Sequence, residues 1–296
     1  MNGLGNDFVV VDVRAYPAWG ELLASPAVVR RLCDRHRGIG ADGLLAVLGA
    51  QSLDSVATMR VHNADGSLAE MCGNGLRCVA WFLAEQQPNR SAQTESSRFL
   101  QVDTGAGPLR CLLSGSEDGR ACSVEIEMGR PHFPIQERIR LSVGPQEIPL
   151  ELSLVSMGNP HAVAFCDEAR SYDELLSLAQ RLGPWVEVHS QFPQRTNVEF
   201  VRRSPQTALA LDVVVWERGC GVTQACGTGA CAAVVVAGVA GVVPLGQRCA
   251  VRLPGGVLDI VVAQDLSVVS MRGPAETVFC GEVETSTIMA LDGPAE

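Results

Sequence analysis

Short runs of apolar, often β-branched residues recur along the whole chain, and only a few stretches carry their apolar positions at helical spacing. In the first half, Asp7–Val13, Leu44–Leu48, Val56–His62, Phe99–Val102, Leu109–Leu113 and Cys122–Met128 predict strands. In the second, strands are predicted over Ile139–Val143, Leu150–Val155, Ala162–Cys166, Asn197–Val201, Leu209–Trp216, Cys249–Leu253, Val257–Val262, Ser267–Met271 and Val278–Val283. Ser25 and Pro26 fit an N-cap followed by proline at the first helical position, opening a helix that runs to about His36. Ser171 caps another helix to Leu182, and Gly75–Glu85 and Thr228–Gly241 complete the helical set. The last is apolar on every face, the pattern of a helix buried all round. Its apolar run, Ala230–Leu245, is too short to span a membrane and is stopped by Pro244. Strands outnumber helices in both halves. The predicted class is therefore α+β: two pseudo-symmetric domains, each a curled mixed or antiparallel, barrel-like β-sheet wrapped around a central helix.

The residues that punctuate these runs carry an internal echo. Glu70-Met71-Cys72-Gly73-Asn74-Gly75 lies between a strand and the helix that ends at Glu85, and Gln224-Ala225-Cys226-Gly227-Thr228-Gly229 lies between a strand and the buried helix. Cys226 follows Cys72 by 154 positions, Glu217 follows Asn63 by 154, and Gly158-Asn159-Pro160 follows Gly5-Asn6-Asp7 by 153. One order at nearly constant spacing implies two similar halves related by a pseudo-twofold axis, with the crossing near the polar loop Ser114–Gly119. Gly38–Gly43 is glycine-rich, but no G-x-G-x-x-G helix start follows, so it predicts a tight turn and not a phosphate loop.

Composition narrows the classes. The 296 residues leave room for two domains with cores of their own, and 47% hydrophobic with 19% charged residues is a globular, soluble balance. The net charge of -10 argues against nucleic acid or an anionic membrane as the main partner, while leaving a small anionic substrate open. Eleven cysteines with no secretory segment ahead of the first motif predict free thiols in a reducing, cytoplasmic setting. Cys72 with Cys78 and Cys226 with Cys231 lack zinc spacing and a nearby histidine pair, so no metal is predicted. All 23 basic residues are arginine. Without a lysine, neither the internal Schiff base of a pyridoxal phosphate enzyme nor a P-loop can be built, and no cofactor is predicted.

Two thiols at helix starts suit a proton transfer that inverts a stereocentre. A helix N-terminus favours a thiolate and attracts a carboxylate, so one cysteine can remove a proton from one face while the other delivers one to the opposite face. The weak acidity of an amino-acid α-proton has to be overcome by electrostatics in a water-excluded site. Cys72 and Cys226 are the candidate pair. His161 and Glu217, in the echoing connections, are candidate proton relays. Asn6, Asn63, Asn159 and Asn197 can bind ammonium and carboxylate groups, and Arg218 offers a fork for a carboxylate. His36 and His62 read as structural.

Gly3-Leu4-Gly5-Asn6-Asp7-Phe8, Asn63-Ala64-Asp65-Gly66-Ser67, Glu70 to Cys78, Gly158-Asn159-Pro160-His161, Thr196-Asn197-Val198-Glu199, and Glu217-Arg218-Gly219 through Ala225-Cys226-Gly227-Thr228-Gly229 resemble the diaminopimelate epimerase family. The resemblance implies pyridoxal-independent interconversion of LL- and meso-diaminopimelate, for lysine and peptidoglycan precursors. It carries acid and base roles onto Cys72 and Cys226, with His161 and Glu217 assisting. Substrate contacts carry onto Asn6, Asn63, Gly73, Asn74, Asn159, Asn197, Glu217, Arg218, Gly227 and Thr228. It further implies domains over 1–120, with 272–296 returning as a last strand, and 121–271, a cleft between them that closes on substrate, and a homodimer. Three departures stand out. The chain begins at the methionine of the family's Lys-Met opening, which implies a first strand that starts upstream. Gly43 stands where some members have glutamine, and His62 replaces a usual aromatic. The rival is a proline or hydroxyproline racemase of the same superfamily, which has Met-Cys-Gly-His-Gly where this chain has Asn74. A non-enzymatic binding protein or a thiol redox protein would each need a different fate for the two cysteines.

Overall fold

The opening residues fold back at once because Leu4 and Gly5 both take positive φ, 63° and 82°, the twist of a two-residue hairpin. This hairpin joins β1 (Asn2–Gly3) to β2 (Asn6–Asp12), with Gly3 opposite Asn6. The computed structural model describes residues 1–86, 98–115 and 121–284. Two helices follow, α1 (Ala18–Leu22) and α2 (Pro26–Cys33), and then β3 (Gly43–Leu48), parallel to β2. Next come β4 (Ala57–Asn63), antiparallel to β3, the short β5 (Leu68–Ala69) turning back on β4, and helix α3 (Gly73–Glu85). After α3, β6 (Arg98–Thr104) lies parallel to β4, and β7 (Gly107–Gly115) and β8 (Ala121–Glu127) continue antiparallel.

The second half repeats this plan connection by connection. β9 (Ile139–Val143) is an addition at its start; β10 (Ile148–Ser156) and β11 (Pro160–Phe165) then form the hairpin. Helix α4 (Tyr172–Glu187) crosses to β12 (Asn197–Arg203), parallel to β11; β13 (Ala210–Glu217) and the short β14 (Gly221–Val222) lead to α5 (Gly227–Val239). Then β15 (Arg248–Leu253) lies parallel to β13, with β16 (Gly256–Val262) and β17 (Val269–Glu276) antiparallel. Gly158 turns its hairpin with φ of 93°, as Gly5 does in the first half. The echo in the sequence is an echo of topology.

The chain divides into two compact units, Met1–Ile126 with Pro274–Glu296, and Glu127–Gly273. In the first, the strands run β1, β2, β3, β4, β6, β7, β8 and return through the end of β17 to β1, where Asn2 faces Glu276. Helix α3 packs against β1, β2, β3, β4 and β7, and α2 buries Val28, Val29, Leu32 and Cys33 against Leu44 and Ala46. In the second, α5 packs against strands from β10 to β16 and leaves only Thr228 and Val239 outside its buried set. Helix α4 covers the sheet with Leu175, Ala179, Leu182 and Val186 against Phe200 and Val214. Across three neighbouring strands, Asp212 of β13 lies in register with Arg202 of β12 and Arg252 of β15. It holds both guanidiniums, at 2.7 Å from Arg202 Nη2 and 2.8 Å from Arg252 Nε, with no exposed surface of its own.

Several element ends differ from expectation. Helix α2 stops at Cys33, because Asp34 takes the backbone N–H groups of His36 and Arg37 onto its carboxylate. Helix α4 passes through Pro184 to Glu187, five residues beyond Leu182, because Trp216 packs over Gly183 and donates to Glu187. The returning strand is Val269–Glu276, and Val278–Val283 forms no strand: Val278 and Phe279 are exposed and unpaired in any ladder among the described residues. The proposed crossing loop and the boundary at 120 fall largely on 116–120, and the tail 285–296 follows the last described residue; both lie outside the described residues.

Candidate active site

Both motif cysteines are helix N-caps. Cys72 and Cys226 have extended backbone, and each sulfur accepts a hydrogen bond from the N–H three residues on, Gly75 in one case and Gly229 in the other, at 3.4 Å each. The same geometry explains the second glycine of each C-G-x-G. A Cβ on Gly75 would lie 2.8 Å from Leu45 Cδ2, and one on Gly229 2.9 Å from Glu199 Oε1 and 3.0 Å from Val215 Cγ2. The pattern is set by packing at the third helical position, where the helix start presses on its sheet.

Within the first unit, two predicted residues come together. Asn74 Nδ2 donates to Asn6 Oδ1 at 3.3 Å, and Asn6 Nδ2 donates to Asp42 Oδ2 at 2.7 Å. Asp42 is in turn held with Asp7 by the Arg35 guanidinium at 2.7 Å from each. From the helix side, the fully buried Arg77 donates to Asn74 Oδ1 and to the Pro274 carbonyl. Asn63 closes its own turn, donating to Ser67 Oγ at 2.9 Å. The Gly38–Gly43 turn has its amides taken by Leu32 and Cys33 carbonyls, so it is a turn and holds no phosphate cradle. His62 is buried, both its ring nitrogens lack a partner among the described residues, and burial pushes its pKa down.

Within the second unit, the site is denser. Glu217 carries hydrogen bonds from the Thr223 hydroxyl and the Cys226 thiol. His161 lies 2.7 Å from Glu199 Oε1 through Nδ1 and 2.9 Å from Asn159 Oδ1 through Nε2. Asn159 Nδ2 donates to Thr228 Oγ1 at 3.3 Å, and that oxygen is 3.6 Å from Cys226 Sγ. Asn197 donates to the Pro160 carbonyl and accepts from the Arg218 amide, so it ties the hairpin turn to the loop after β13. The Arg218 guanidinium donates to the Gln194 carbonyl, and Glu187 accepts from Gly219 N and Trp216 Nε1 on either side of Glu217 and Arg218.

The electrostatics correct one expectation. A helix N-terminus does not by itself make Cys226 a thiolate: burial, then the nearby Glu217 and Glu199 carboxyls, push this thiol well above its ordinary range, and the Thr228 and Gly229 hydrogen bonds oppose that only in part. Burial also pushes the Glu217 carboxyl up. Glu199, Thr223, Asp42, Arg77 and Glu187 are the site residues that sequence reasoning did not assign. For Glu199 a signal was present, a lone carboxylate in the apolar strand Val198–Val201. For the others only the fold brings the partner into reach.

A family model described as diaminopimelate epimerase matches residues 1–134 and 153–278. The diaminopimelate epimerase of Microcystis aeruginosa is 41% identical, over 94% of this chain and 95% of the relative, and that of Desulforudis audaxviator is 43% identical, over 95% and 97%. Among solved structures, a probable proline racemase from Agrobacterium radiobacter K84 is similar with a TM-score of 0.64 at 16% identity, over 86% of this chain and 81% of that chain. A hydroxyproline epimerase from Agrobacterium vitis gives 0.62 at 18%, over 84% and 78%. These two share the fold; the sequence similarity lies with the first group.

Proposed function

Since this chain belongs to the diaminopimelate epimerase family, whose members are isomerases, we propose that Cys72 and Cys226 are the acid and base of its reaction. The observation that carries this is the repeated N-cap: each unit supplies one thiol whose sulfur faces a helix N-terminus, in the same hydrogen bond. In the resting form burial and its carboxylate neighbours keep Cys226 as a thiol, ready to donate, which leaves Cys72 to remove the α-proton from the epimer that this form accepts. After turnover the roles are exchanged. Glu217, in contact with the Cys226 thiol, and His161, linked to it through Asn159 and Thr228, assist.

Helix α3 starts at Gly73-Asn74 and α5 at Gly227-Thr228, and the positive end of each helix suits the substrate carboxylate, where charge accumulates as the α-proton leaves. Asn6, Asn63, Asn159, Asn197, Glu217 and Arg218 supply further polar contacts to the zwitterionic ends. Asn74 sits where proline-type racemases carry histidine, and its amide is held between Asn6 and Arg77, an environment built for an asparagine. We place the enzyme in the cytoplasm on its eleven free cysteines. No helix among the described residues is long and apolar enough to cross a membrane. We assign the active form as a homodimer; sedimentation as a particle of twice 31.4 kDa is the expected outcome, and a particle of 31.4 kDa overturns it. The deciding experiment is proton NMR of LL-diaminopimelate with reduced enzyme in D2O and no pyridoxal phosphate. Loss of the α-proton signal with growth of the meso form is expected; a retained α-proton overturns the reading.

A further inference from the structure

We infer that Glu199 is a protonated carboxyl donating to His161 Nδ1, and that the order of donors running on through His161, Asn159 and Thr228 aims the Thr228 hydroxyl proton at Cys226 Sγ. The functional side of this rests on Cys226 being an acid and base of the reaction; the protonation of Glu199 stands on geometry and burial and does not need that reading.

The directions follow one another from the cysteine outward. The Cys226 sulfur accepts from Gly229 N at 3.4 Å. Once Cys226 is a thiolate its sulfur only accepts, so the 3.6 Å contact between Cys226 Sγ and Thr228 Oγ1 then has Thr228 as donor. Thr228 Oγ1 in turn accepts from Asn159 Nδ2 at 3.3 Å. An amide that presents its nitrogen to Thr228 presents its oxygen the other way, and Asn159 Oδ1 lies 2.9 Å from His161 Nε2. An amide oxygen only accepts, so Nε2 carries a hydrogen and, in a neutral ring, Nδ1 is bare. Nδ1 is 2.7 Å from Glu199 Oε1. Full burial of both side chains disfavours an imidazolium–carboxylate pair, and two acceptors cannot hold that distance, so the hydrogen between them comes from Glu199.

Burial points the same way. Neither the His161 nor the Glu199 side chain has any exposed surface, and Glu199 Oε2 has no hydrogen-bond partner among the described residues. An unpartnered oxygen of a neutral carboxyl is far less costly in such a place than one of an ionised carboxylate. Burial pushes this carboxyl up. An uncharged Glu199 removes one of the two carboxylates that oppose a thiolate at Cys226. Once Cys226 has given up its proton, Thr228 O–H and Gly229 N–H both face the sulfur. Glu199 and Thr228 are thus positioning residues for this thiol: one fixes the tautomer of His161, the other delivers the resulting direction to the sulfur.

The ring is read directly by nitrogen NMR of the full chain labelled with [15N]histidine, with His161 assigned by its loss in His161→Gln. A neutral ring with hydrogen on Nε2 and a bare Nδ1 is expected near neutral pH. Hydrogen on Nδ1 with a bare Nε2, or a doubly protonated ring, overturns the inference. The delivery step is read by the pH profile of α-proton exchange. Thr228→Val moves the midpoint upward and lowers the rate at neutral pH about tenfold, and Thr228→Ser, which keeps the hydroxyl, restores both. An unmoved midpoint in Thr228→Val shows that Thr228 does not donate to the sulfur. If the unsubstituted enzyme exchanges no α-proton, the functional reading falls, and the ring measurement by itself decides the state of Glu199.

Discussion

Glu217 sets a proposed role in the chemistry against a cost in stability. It sits buried beside Cys226, and burial holds its carboxyl above the usual carboxylate range despite the hydrogen bonds from Thr223 and Cys226. A carboxyl whose folded pKa is raised binds its proton more tightly in the folded chain than in the unfolded one. Its contribution is fully present below the unfolded value near 4.3 and is lost as pH rises through the folded value. Glu217→Gln is therefore expected to raise the melting temperature at pH well above that window, with the gain vanishing below about pH 4. Turnover falls by roughly a hundredfold or more, as for loss of a proton-relay group. Calorimetry across pH, with the exchange assay beside it, checks both. A melting temperature unchanged at alkaline pH would show that Glu217 costs the fold nothing. Of the residues singled out from the sequence here, Cys72, Cys226, Asn159 and His161 lie next to glycine or proline at connections, where composition marks a special backbone, and Glu217 lies two positions before Gly219. Glu199 showed only as a lone carboxylate in an apolar strand and Thr223 not at all, because their partners depend on which side chain the sheet places opposite them.

Elements were legible at their beginnings. Ser171 caps α4 through a full capping box with Glu174, and Cys72 and Cys226 sit where a cap belongs. Ends were less legible because they are decided by partners far along the chain: Asp34 closes α2 locally, but α4 continues through Pro184 on the strength of Trp216, which is twenty-nine positions from Glu187. The register of β12, β13 and β15 was invisible for the same reason, and it is fixed in part by Asp212 between Arg202 and Arg252. A carboxylate with no exposed surface meets the buried Arg202 and the partly exposed Arg252 here, so removing it leaves the Arg202 charge buried and uncompensated. Asp212→Asn is expected to cost about 3–5 kcal/mol in denaturant unfolding. Replacing the exposed partner of the Arg138–Glu151 pair costs under about 1 kcal/mol. Equal effects of the two substitutions would show that the three-strand cluster does not hold the register.

At the scale of the molecule, the duplication visible in the spacing of three short motifs is a duplication of connectivity, with hairpin, parallel crossover, antiparallel return, short strand, capped helix and parallel strand in the same order in each half. Each half has kept one thiol at one cap, yet the surroundings have diverged. Cys72 is partly exposed, with Asn63 and Asn6 in its half of the echo, while Cys226 is buried with Glu217 and Asn159 at the matching places. In the proposed two-base reaction one such half is not enough, because the base that takes a proton from one face is not the acid that delivers to the other. Cys72→Ala and Cys226→Ala are each expected to lower interconversion at least about a hundredfold, with stability reduced by only about 1 kcal/mol from the lost cap. The two losses are not expected to multiply in the double variant, since the proposed reaction uses both thiols in one step. Measured turnover in either single variant near that of the unsubstituted enzyme would mean that one half works alone, and the reason for retaining two capped thiols would have to be sought outside the chemistry.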